Sequence, residues 1–170
     1  MQKSISPEER AVNDFKLVYK LFQDIVNSLG KDKEEFGKSF RARSRESPSL
    51  LYEIGVIPTI SFIYAKTKDS EKQTYVAFID FVTKAQAASE NLKKLNSTEG
   101  GYAAYLYLIL SEISRLIPKI NIDPKSPLSC IEVLTGSELL TILPSLLMPY
   151  LLEIKRLAEA VFPTWKVKGE

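Results

Sequence analysis

Four cations, Lys38, Arg41, Arg43 and Arg45, stand within the stretch Gly37 to Arg45, which holds no acidic residue. Cations gathered in this way can hold phosphate. Arginine does so best, because its planar guanidinium donates two parallel hydrogen bonds to one anion. If the stretch is helical, with about 100° between residues, then Lys38, Arg41 and Arg45 at i, i+3 and i+7 share one narrow face. Phe36 and Phe40 then point the opposite way, so an apolar anchor would present three cations. Smaller basic groups are Lys155-Arg156 and the pair Lys66 and Lys68. The same residues would also serve as a solvated face, or as helix C-terminal cations, which are stabilising there.

Other chemistry is poorly supplied. The chain of 170 residues has no histidine, which removes His-based triads, His metal ligands and His proton shuttles. Its one cysteine, Cys130, excludes an intrachain disulfide and a cysteine zinc site, and reads as a small buried hydrophobe. The acidic pairs Glu8-Glu9 and Glu34-Glu35 sit at helix starts, where carboxylates are ordinary. Gly100-Gly101 lacks the surrounding spacing of a phosphate loop. Tyr102, Tyr105 and Tyr107 could stack bases, but Tyr102 and Tyr105 recur at helical spacing among leucines, which favours packing. No catalytic residue, metal site or cofactor is expected.

Composition frames the rest. Apolar residues make up 45% and charged residues 26%, a globular balance, and the net charge is only +2. Nucleic-acid binding would therefore have to come from local patches. Met1-Gln2-Lys3-Ser4 is polar and runs straight into a helix signal, so no signal peptide is read there, and the lone cysteine suits a reducing cytoplasm. Gly55–Ala65 and Leu139–Leu152 are uncharged, but both fall short of the roughly 20 residues a span needs and carry prolines. They read as core helices, with no membrane association.

The elements that must position the cations are helical throughout. Ser6, Pro7 and Glu9 form a capping box for a first helix to Leu29, with a stripe of Val12, Phe15, Tyr19, Phe22, Val26 and Leu29. Lys31–Glu46 reads as a shorter exposed helix. Ser47-Pro48 should start a third helix reaching Ala65, kinked at Gly55 and Pro58. Asp69 or Ser70 should cap a fourth, with a stripe from Tyr75 that weakens toward Leu92 and Leu95. Asn96–Gly101 reads as a loop and Tyr102–Ile113 as a fifth helix. Leu128–Leu134 is a helical turn, and Thr135-Gly136-Ser137-Glu138 should open a last helix to Phe162. Residues 1–170 thus form one all-α domain, a bundle of about six helices, with 1–5 and 163–170 as frayed tails. If Leu51 and Phe62 are buried, truncating either to alanine should cost about 2–5 kcal/mol.

Several segments, in order, resemble one family. They are Arg10-Ala11, Pro48-Ser49-Leu50-Leu51 through Gly55-Val56 to Phe62-Ile63-Tyr64-Ala65-Lys66, and Leu134-Thr135-Gly136-Ser137-Glu138-Leu139-Leu140 followed by Lys155-Arg156-Leu157-Ala158-Glu159-Ala160. Together they are similar to the small helical subunit of type III CRISPR effector complexes of the Cmr type. Ile54, where a polar residue is expected, and the two prolines Pro144 and Pro149 depart from the pattern. The resemblance implies a subunit without nuclease activity. Copies of it would stack beside the backbone and large subunits of the complex and contact the guide RNA and target RNA backbone in antiviral defence. Arg10, Lys66, Lys155 and Arg156 lie in the matching segments and are the RNA-binding positions it implies, and the 38–45 cations join them on charge. A helical adaptor that binds only protein is the main competing reading. A duplex-DNA-binding domain lacks a clear recognition helix, and an enzyme lacks a catalytic constellation.

Overall fold

The structure, a computed structural model, describes residues 4–67 and 73–164. Helix α1 spans Pro7–Leu29. The expected capping box is present: Ser6 Oγ accepts from the Glu9 N–H at 3.1 Å, and the Glu9 carboxylate accepts from the Ser6 N–H at 3.3 Å. The buried stripe is Ala11, Phe15, Val18, Leu21 and Ile25. It is rotated from the expected one, leaving Val12 and Tyr19 more than a third exposed.

The expected boundary at Ser47-Pro48 is not there. Helix α2 runs unbroken from Glu35 to Ile54 through Pro48. A proline inside a helix removes one backbone bond and costs about 3 kcal/mol. Buried Phe36 and Phe40 on one side and Leu51 on the other oppose that loss, at about 1.5–3 kcal/mol for each buried side chain. The break comes instead at Gly55, whose φ of +87° suits only glycine, and α3 (Val56–Thr67) follows with Pro58 in its first turn.

Helix α4 is Thr74–Lys84 and α5 is Ser89–Leu95, separated by a left-handed Ala85 where a single weakening helix was expected. The expected caps Asp69 and Ser70 lie outside the described residues. Helix α6 (Thr98–Leu116) already contains Gly100 and Gly101, because Ser97 rather than a later residue is its N-cap. After α7 (Pro127–Thr135), Ser137 caps only a short 3-10 turn, Glu138–Thr141. The last helix, α8 (Leu143–Val161), begins beyond it with Pro144 in its first turn, where no donor is needed, so this proline starts the helix and only Pro149 lies inside it. Eight α-helices rather than six are therefore present among the described residues, and no strand. Of the expected tails, 1–3 and 165–170 lie outside the described residues, while Ser4, Ile5, Pro163 and Thr164 belong to no helix.

Helix α2 lies along α6, α8 packs across α1 and α2, and α3 and α4 flank α6. The α2–α6 approach is very close. A methyl group on Gly101 would fall 2.4 Å from Ser39 Oγ and 2.6 Å from the Phe40 backbone nitrogen. Ser39 Oγ donates to the Thr98 carbonyl at 2.6 Å. Glu34, the N-cap of α2, offers no side-chain bond, and Asn96 supplies one from outside, its Oδ1 accepting from the Phe36 N–H at 3.2 Å.

An ionic network ties α1, α6 and α8. Glu112 is wholly buried on α6, and Arg10 grips it through Nε at 3.1 Å and Nη2 at 2.5 Å. Arg115 bonds both Glu112, at 3.0 Å, and Asp14. The Tyr150 hydroxyl donates to Asp14 at 2.6 Å.

Gly101→Ala should lower stability despite the roughly 1 kcal/mol that alanine gains in a helix. The clash is with backbone and should cost about 1–3 kcal/mol or more, read as a fall in the chemical-denaturation midpoint. Arg10→Ala should cost about 3 kcal/mol, since it leaves the buried Glu112 carboxylate with Arg115 alone. Leu51→Ala should fall in the 2–5 kcal/mol range. Phe62→Ala should not: Phe62 is 40% exposed, so its truncation should cost no more than about 1 kcal/mol. Equal destabilisation of these last two variants would refute the packing described.

Candidate nucleic-acid interface

Phe36 and Phe40 are fully buried, against Phe162 and Tyr105 among others, and fix the rotation of α2. The opposite face then carries Lys38, Arg41 and Arg45, as the 100° rule requires. These three line one open hollow of about 280 Å³ together with Ala42, Glu46 and Thr164. Arg45 is exposed, while Lys38 and Arg41 are half-buried. Arg41 is held in place from α8: its Nη1 donates to the Glu159 carbonyl at 2.7 Å and the Phe162 carbonyl at 2.8 Å. That leaves Nε and Nη2 of the same guanidinium for other acceptors.

Lys155 stands one turn before Glu159 on α8 and is half-buried. Arg156 is exposed and pairs with Glu153 at 2.9 Å. Lys66 lies in the last turn of α3, exposed, with its Nζ 5.7 Å from the centre of the Phe62 ring.

Lys66 thus stands on the Phe62 side of the molecule with Arg43, and Arg43 and Arg10 too stand apart from the α2 face. Arg43 is buried, two residues and about 200° round the helix from Arg41. Its guanidinium lies 4.5 Å from the Tyr102 ring centre and 5.7 Å from that of Phe62, and it pairs with Glu46 at 2.5 Å. Arg10 is engaged with Glu112 and with the Ile5 carbonyl, at 2.7 Å, and the Glu112 hydrogen bond raises its already high pKa further. Both are built into the packing. Lys68 lies outside the described residues.

The three tyrosines are packing residues. Tyr105 is fully buried, Tyr107 meets Phe78 edge to face at 5.5 Å, and Tyr102 sits under Arg43. Cys130 is buried, its thiol donating to the Asp123 carbonyl at 3.0 Å and pushed up to about 11 by desolvation. Sequence reasoning missed the network around Glu112. Its one visible signal is an acidic residue next to Ile113 and three residues after Ile109, in the most apolar stripe of α6.

No protein-family model matches the chain. A curated protein does: CRISPR system CMR subunit Cmr5 of Saccharolobus solfataricus is 31% identical over 160 residues, which is 91% of this chain and 96% of that one. Two solved structures share the fold. One is the cryo-EM structure of the type III-B Cmr-beta complex bound to non-cognate target RNA, with a TM-score of 0.65, 24% identity, and 94% of this chain and 97% of that chain covered. The other is type III-B Cmr-beta bound to cognate target RNA and AMPPnP, with a TM-score of 0.60, 23% identity and the same coverage. Identity at this level over nearly the whole of both proteins, on a shared all-helical fold, leads to one conclusion: the chain belongs to the Cmr5 family of CRISPR system Cmr subunits.

Proposed function

We propose that the chain is a non-catalytic small subunit of a type III-B Cmr ribonucleoprotein that holds RNA by its phosphate backbone. The observation that carries this reading is the α2 face. Lys38, Arg41 and Arg45 front one hollow, with buried Phe36 and Phe40 behind them. Lys155 and Arg156 on α8 and Lys66 at the end of α3 are the further cations of this reading. Arg10 and Arg43 contribute through packing. Within such a complex base pairing reads the sequence, so the protein need only bind backbone. The weak grip of each copy gains strength from repetition along the assembly, beside the backbone and large subunits and other copies of this chain. Guide and target RNA are the ligands and the cytoplasm the setting. No helix among the described residues is long and apolar enough to cross a membrane.

A non-catalytic role is supported by the sequence without histidine and by the buried thiol of Cys130. Binding of protein partners has its own surface. Tyr52, Ile54, Ile142 and Leu146 are exposed apolar side chains, and an open, mainly apolar hollow lies between the α2–α3 joint and the start of α8.

Arg45→Glu should weaken binding of single-stranded RNA and of a guide–target duplex while leaving the fold intact. The slope of log affinity against log salt should fall by roughly 0.7–0.9 for each phosphate that is no longer neutralised, equally for all sequences. Arg41→Glu with Arg45→Glu should reduce binding further but also lower stability, because Arg41 holds the end of α8. An unchanged slope in both variants would remove RNA from this face, and failed assembly with retained RNA binding would favour the adaptor reading. Purified chain incubated with RNA or DNA, with and without divalent metal, should show no cleavage. Turnover that survives repurification and vanishes in a point variant would overturn the non-catalytic assignment.

A further inference from the structure

Phe62 is out of place for a packing residue. Its neighbours Ile60 and Ile63 are fully buried, while the Phe62 ring is 40% exposed on the outer side of α3. It is not loose, because the Arg43 guanidinium lies 5.7 Å from the ring centre, and Arg43 itself is buried, over Tyr102 and paired with Glu46. One turn along α3, the exposed Lys66 places its ammonium 5.7 Å from the same ring. A rigid aromatic surface thus stands beside a cation on a flexible stem.

We propose that Phe62 is a stacking platform for one unpaired base of single-stranded RNA, with Lys66 taking the phosphate of the same or an adjacent nucleotide. The inference rests on the RNA-binding reading above and adds to it a base contact, which the α2 cations do not make. Every base has a flat π-face, so such a platform holds RNA without reading its sequence. Pre-ordering by Arg43 lowers the entropy cost when the base lands. The flanking charges decide between RNA and an apolar protein partner. Packing an apolar side chain over Phe62 would strip water from Lys66 and give it nothing in return. A nucleotide brings its own anion, tethered to the base.

The test uses the full-length chain with a single-stranded oligoadenylate and with an abasic ribose-phosphate oligomer of the same length. Wild type should bind the base-bearing oligomer roughly five- to hundredfold more tightly than the abasic one, the scale of one base on one aromatic ring. In Phe62→Ala that preference should vanish with the salt slope unchanged, and Phe62→Trp should restore it. Lys66→Gln should lower the slope for both oligomers. Equal binding of the two oligomers by wild type, or a preference that survives Phe62→Ala, overturns the platform while leaving the backbone-binding reading standing. Failure of wild type to bind either oligomer, alone or assembled with its partner subunits, sinks both. Loss of subunit assembly in Phe62→Ala with oligomer preference intact would make Phe62 a protein contact and overturn the proposal.

Discussion

At Gly101 the backbone of α6 lies against Ser39 and Phe40 of α2 with no room for a methyl group. Two helices this close must be rigid with respect to one another, because neither can slide or turn without a backbone clash. The starts of the two helices are tied as well, by the Ser39 hydroxyl on the Thr98 carbonyl and by Asn96 capping the start of α2. Once α2 is fixed in rotation, the helical period alone decides what its other side presents. Phe36 and Phe40 go in, and Lys38, Arg41 and Arg45 go out. The basic face is a consequence of this close contact.

How far the sequence disclosed this can be judged residue by residue. The Ser6–Glu9 capping box was legible, because it depends on local chemistry, a short side chain reaching its own backbone. Gly55 was read as a kink within one helix, whereas its positive φ ends α2 and separates it from α3. The geometry of the α2 face was legible because helical periodicity needs no tertiary information. Pro48 misled because a local penalty was weighed without the buried side chains on both sides that offset it. Gly100 and Gly101 read as loop residues because glycine is a poor helix former, whereas Gly100 is needed where α6 meets the Leu95 backbone just before it, and Gly101 where α2, far off in sequence, comes close. The same is true of Glu112: nothing near it in the sequence shows that Arg10 will meet it. Arg43 was the intermediate case. Its angle on the helix already placed it with Phe36 and Phe40, and only its charge argued for the surface.

The charge distribution of the molecule divides by partner. Arg10, Arg115, Glu112 and Asp14 neutralise one another across α1 and α6. Arg43 is held by two rings and one carboxylate. With these accounted for within the fold, a near-neutral chain still keeps a local cluster of cations, Lys38, Arg41 and Arg45, on one face of α2. Membership of the Cmr5 family fits that economy: a subunit that acts in an assembly needs local surfaces of different character rather than a strong overall field.

Arg41 belongs to two structures at once. With one nitrogen it closes the carbonyl end of α8, and with the others it faces the open hollow on α2. A side chain shared in this way makes the two places thermodynamically reciprocal. Any anion that draws the guanidinium away from the Glu159 and Phe162 carbonyls must loosen the final turn of α8, and by linkage whatever tightens that turn alters the grip on the anion by the same free energy. The hollow and the helix end, nearly 120 residues apart in the chain, are one coupled element.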